Sequence, residues 1–185
     1  LLHPQVPRKE MEKERKVVLE EIAKDANSPV NICYENLNNL LYSTHPYKRK
    51  VIGSAKVVEN VSREEILNYY KQHYAPSNMT TIIVGDVDPQ HALAEIKKDF
   101  NKPYQKISNP KYKKEKMLSS QKRNVSYMPT QTGYMMIGFR DADISSNDTY
   151  ALDVLATILG NGRSSRLYQS LKEQKQLVNS ISAGN

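Results

Sequence analysis

Residues 62–96 read SREEILNYYKQHYAPSNMTTIIVGDVDPQHALAEI. Ser62, followed three positions later by Glu65, is a capping box. The hydroxyl accepts from the amide of Glu65 and the carboxylate reaches back to the amide of Ser62. It opens a helix predicted over Ser62 to Tyr74, with Ile66, Leu67, Tyr69 and Tyr70 as its apolar contacts. Thr80 to Val87 carries the run Ile82-Ile83-Val84, which predicts a buried strand. Asp88-Pro89 then sets an N-cap before Pro at the first helical position. The helix that follows carries Leu93, Ile96 and Phe100. Helix, strand and helix in this order point to an α+β fold.

The same alternation extends outward. Pro7 to Asp25 reads as a long helix that Asn27-Ser28-Pro29 interrupts. Val30 to Tyr42 reads as a second helix, with Ile32, Leu37, Leu40 and Leu41 toward a core, and His45 to Gly53 as a loop with a turn. Downstream, Asn101 to Lys122 is polar and Lys-rich. Strands are predicted over Asn124 to Met128, Tyr134 to Phe139 and Leu177 to Ala183. Helices are predicted over Asn147 to Leu159, capped near Ser145 or Ser146, and over Ser164 to Lys175. The expected organisation is residues 1–100 as the C-terminal part of one domain, 101–122 as a linker and 123–185 as the N-terminal part of a second domain.

Composition narrows the class. The 185 residues are 38% hydrophobic and 25% charged, which suits a packed, globular chain. The net charge is +7. Lys97 to Arg123 holds ten Lys and Arg against Asp99 and Glu115, so the rest of the chain sums to −1. The basicity therefore belongs to a solvated tether, with no aromatic interleaving of the kind nucleic-acid modules use. No apolar run approaches the ~20 residues of a membrane helix, and no secretory signal is visible. Leu1-Leu2-His3-Pro4 and Ile181 to Asn185 both read as cut ends. Cys33 is the only cysteine, so an internal disulfide and a Cys-based zinc site are excluded. It reads as a small buried apolar residue.

On the first helix, Met11, Val18 and Ile22 share one face at roughly 100° per residue. Glu14 and Glu21 lie beside that face, seven residues apart and two turns along nearly one line. Glu12, Lys13, Lys16, Glu20 and Lys24 point to solvent. Burying an ionised carboxylate is costly unless it is paired or binds a metal. Two readings stand: Glu14 and Glu21 flank the core and pair with Arg15 or Lys24, or they serve a metal. The four histidines, His3, His45, His73 and His91, show no ligand spacing among themselves.

The run Glu14-Arg15-Lys16-Val17-Val18-Leu19-Glu20-Glu21-Ile22 resembles the segment carrying the third zinc ligand in peptidases of the pitrilysin/insulinase family. Other blocks follow in that family's order. They are His45-Pro46-Tyr47 with Val51-Ile52-Gly53, Ser62-Arg63-Glu64-Glu65 with Tyr69-Tyr70, and Tyr74-Ala75-Pro76-Ser77-Asn78-Met79. Ile83-Val84-Gly85-Asp86-Val87 and Gly160-Asn161-Gly162-Arg163-Ser164-Ser165-Arg166-Leu167-Tyr168 complete the set. The resemblance implies two related metallopeptidase-type α/β sandwich domains, both incomplete and joined by the basic linker. It implies Glu21 as a zinc ligand and Glu14 as its supporting carboxylate. It also implies a parent that hydrolyses peptides or unfolded protein with zinc-bound water, working as a homodimer or as a heterodimer with a family paralogue. The family's His-x-x-Glu-His helix, which supplies two histidines and the general base, does not occur here. This stretch is therefore expected to be inactive alone. The alternative within the family is a non-catalytic partner or scaffold subunit.

Overall fold

Local capping signals set where the helices begin. The computed structural model of the protein describes residues 4–100, 112–141 and 143–185. Backbone proximity divides the chain into two compact units, Leu1–Ile137 and Gly138–Asn185.

In the first unit, α1 (Arg8–Ala26) begins after Pro7 and carries Glu10 in its first turn and Lys24 in its last. Both charges complement the helix dipole. α2 (Pro29–Leu41) opens on Ser28, whose hydroxyl accepts from the Asn31 N–H, with Pro29 at the first position. Asn31 Nδ2 also donates to Asp25 Oδ1 at 2.9 Å, which fixes the corner between α1 and α2. α3 (Ala55–Asn60) is capped by Ser54. α4 (Arg63–His73) has the expected capping box: the Glu65 N–H donates to Ser62 Oγ at 3.1 Å, and the Ser62 N–H donates to Glu65 Oε2 at 2.7 Å. α5 (Pro89–Asp99) starts on Asp88, which accepts from the N–H groups of Gln90 and His91 at 2.7 and 2.9 Å. α1 packs against α2 and α3. Ile22 and Ala75 are the buried apolar side chains among the described residues.

The second unit holds α6 (Asp148–Gly160) and a π-helical segment, Tyr168–Gln174. The N-cap of α6 is Asn147, which makes no side-chain cap bond, and the adjoining Ser146 Oγ accepts from the Asp148 N–H at 3.2 Å. The chain's last residues lie along this helix. Asn185 Nδ2 donates to Asp153 Oδ1 at 3.1 Å. At Gly160 the approach is so close that an added Cβ would stand 2.3 Å from the Ala183 nitrogen. Ser165 is buried, with its hydroxyl donating to the Gly162 carbonyl at 2.8 Å.

The α+β sandwich expectation is corrected: the described residues form helices and no strand. A strand exists through its ladder of hydrogen bonds to a neighbour, and a β-rich run alone does not make one. In Thr80 to Val87 the one backbone bond outside helices is a local turn, Val87 N–H to the Gly85 carbonyl. Ile82 and Val84 are 80% and 90% exposed there, not buried. Residues 124–128, 134–139 and 177–183 likewise lack strand pairing. Met135, Ile137, Phe139 and Leu177 stand in solvent. The β-branched and aromatic composition of these segments suggests strands, and the structure gives them no paired sheet. Of the linker expected over 101–122, residues 101–111 lie outside the described residues.

Candidate functional site

The buried side of α1 is the stripe Met11, Arg15, Val18, Leu19, Ile22 and Asp25. These positions follow the helical repeat, and Ile22 is the most buried of them, at 8% exposure. Glu14 and Glu21 flank the stripe, as the periodicity requires, but both are exposed. Glu20 is also exposed and lies nearly opposite the stripe at roughly 100° per residue. The expectation of two carboxylates at the edge of a buried face is therefore corrected in one respect: their place on the helix is as read, and their burial is not. Seven residues at about 1.5 Å each set Glu14 and Glu21 roughly 10 Å apart along the axis.

The pairing proposed for these carboxylates is not seen either. Ion pairs join Arg15 to Glu12, Lys50 to Glu35 and Lys98 to Glu95, and none of these involves Glu14 or Glu21. Arg15 is occupied elsewhere. Its guanidinium donates to the carbonyls of Val58, of Glu59 at 3.0 Å and of Val61 at 2.9 Å. These are carbonyls at the C-terminal end of α3, which have no partner inside the helix. A cation there also meets the negative end of the helix dipole. Nothing in the local sequence of Arg15 announced this role, because its acceptors lie 43 to 46 residues away.

The described histidines lie on a loop and on helices. His45 caps a 3-10 turn, Pro46–Lys48, and its Nδ1 accepts from the Tyr47 N–H at 3.3 Å. His73 lies against the Tyr69 ring with centroids 4.2 Å apart. His91 opens α5. His3 lies outside the described residues. Among the described residues, no three His, Cys, Asp or Glu side chains come together as a set able to hold a metal ion. The donor set of the described residues does not by itself fit zinc, which takes at least three protein ligands. No chemical step through the metal follows from these residues. No helix among the described residues is long and apolar enough to cross a membrane.

Comparison with known proteins gives these residues a context. Residues 60–185 match the Peptidase M16 inactive domain. The chain is 29% identical over 177 residues to the zinc protease PqqE of Helicobacter pylori, a match covering 93% of this chain and 40% of that protein. It is 27% identical over 175 residues to an uncharacterized zinc protease of Mycobacterium leprae, covering 93% of this chain and 39% of that one. The chain thus spans about two fifths of the length of these curated relatives. Among solved structures, a Helicobacter pylori protease superposes with a TM-score of 0.70 at 26% identity, covering 98% of this chain and 49% of that one. A peptidase M16 inactive domain from Pseudomonas fluorescens shares the fold, with a TM-score of 0.72 at 18% identity over 97% of this chain and 43% of that one.

Proposed function

Since the chain belongs to the Peptidase M16 inactive domain family, we propose that it is a portion of a zinc-dependent endopeptidase acting on peptides or unfolded protein segments. Family membership bears out the resemblance to the pitrilysin/insulinase peptidases. The observation that carries the reading is the alignment of 93% of the chain with proteins named zinc proteases. In this reading Glu21 on α1 is one zinc ligand and Glu14 supports it, with the other ligands outside this chain. The exposure of both carboxylates leaves them available to such a partner set. The longer protein works as a dimer, either with itself or with a related subunit. Residues 1–100 belong to its ligand-bearing domain, and 123–185 to its companion domain.

The match to a domain described as inactive favours a second reading, a non-catalytic partner subunit of the same family. Cleavage of an unfolded polypeptide such as casein separates the two. The 185-residue chain should leave it intact with zinc added, whereas the full-length protein should cut it. Cleavage by the short chain alone would refute the proposal, and an inert full-length protein would favour the partner reading.

A further inference from the structure

One carboxylate in the molecule is far more heavily bonded than any on α1. Glu115 stands in the Lys-rich run, and its Oε1 accepts from the N–H groups of Ser43 at 2.9 Å, Thr44 and His45 at 2.5 Å. The Thr44 hydroxyl donates to the same oxygen at 2.9 Å, and the Ser43 hydroxyl donates to Oε2 at 2.8 Å. Three successive backbone N–H groups turned to one point form an anion-binding concavity. Two hydroxyls complete it. Partial burial works to raise the Glu115 pKa, but these hydrogen bonds outweigh it and hold the carboxyl far below its usual range.

The chain around Glu115 is fastened in a consistent direction. The Tyr112 ring lies 6.1 Å from the His45 ring. Lys122 Nζ donates to the Leu40 carbonyl at 3.0 Å, at the C-terminal end of α2 where a cation suits the dipole. Asn36 Nδ2 donates to Ser126 Oγ at 3.1 Å. As the chain advances from 112 to 126, its partners step back from 45 to 36. Residues 112–126 therefore run antiparallel to α2.

We propose that the Ser43-Thr44-His45 loop is a carboxylate-binding site whose resident ligand is Glu115, and that this contact latches residues 112–126 as a strap along α2. The donors recognise the carboxylate group through both of its oxygens. A free carboxylate therefore competes for the site once Glu115 is removed.

The test uses the 185-residue chain, with acetate as the probe. In Glu115→Ala, the amide proton resonances of Ser43, Thr44 and His45 should move upfield, and acetate should return them along a saturable curve. Trypsin should cleave after Lys113, Lys114 and Lys116 at least about tenfold faster than in wild type. Lys16 and Lys24 in α1 should stay protected, which separates release of the strap from global unfolding. Glu115→Gln keeps the shape and one acceptor oxygen, so its amide shifts should lie between those of wild type and Glu115→Ala. Unmoved amides, a merely linear response to acetate, or unchanged cleavage at the three lysines would overturn the proposal.

Discussion

Arg15 shows what one side chain can do across sequence distance. It is a cation on the inner stripe of α1, with only 14% of its side chain exposed. Carbonyls at the C-terminal end of α3 and the Glu12 carboxylate surround its guanidinium. Replacing it with alanine leaves several carbonyls without a donor. Hydrogen bonds to charged groups contribute about 1.5–3 kcal/mol. Arg15→Ala should therefore lower stability by about 2 kcal/mol in denaturant unfolding. Arg15→Lys should recover only part, because an ammonium lacks the planar fork that reaches several acceptors. A change within ~0.5 kcal/mol for Arg15→Ala would mean that the α1–α3 contact does not depend on it. The local pattern suggests Glu14 or Glu21 as the partner of Arg15, whereas its long-range acceptors are backbone carbonyls that no local pattern identifies.

Elements defined by a few neighbouring residues were the most legible. The boundaries of α4 and α5 follow from Ser62 with Glu65 and from Asp88 with Pro89, all within a turn of each other. α3 escaped reading because its six residues carry no apolar period and its far end is held by Arg15. The expected strands are absent because pairing is non-local: the Ile82-Ile83-Val84 run favours a strand but cannot specify a neighbour. The capping box also makes a pH prediction. The Ser62 backbone N–H, and then its hydroxyl, hold the Glu65 carboxyl below its ordinary pKa. Its folded pKa is depressed, so its contribution is present above the unfolded value and is lost as pH falls through the folded one. Lowering the pH below the ordinary carboxylate range should fray the first turn of α4. The protection of the Ser62 amide, its exchange rate by NMR compared with the intrinsic rate at the same pH, should fall there in wild type. In Glu65→Gln that loss of protection with pH should be absent. An identical acid profile in both proteins would rule out the linkage.

At the scale of the whole chain, family and fold were unequally legible. The blocks from Glu14 to Tyr168 sufficed to identify the family, because their order along the chain is itself information. The candidate site was legible only as a position: the helical repeat put Glu14 and Glu21 on one line, and the burial that would have implied a metal was not there. The Lys-rich segment reads as a tether, and within its described part Glu115 and Lys122 bond to the end of α2 and the loop after it. We propose that this chain lends one ligand, Glu21, to a zinc site completed by residues outside it. The most direct measurement is zinc per chain in the full-length protein and its Glu21→Gln, Glu14→Gln and Glu20→Gln variants. Glu21→Gln should lose tightly bound zinc, since a neutral amide is a poor ligand. Glu14→Gln should weaken binding about 10–100-fold, and Glu20→Gln, on the opposite face, should keep its zinc. Zinc retained in full by Glu21→Gln, or lost equally by Glu20→Gln, would contradict the claim.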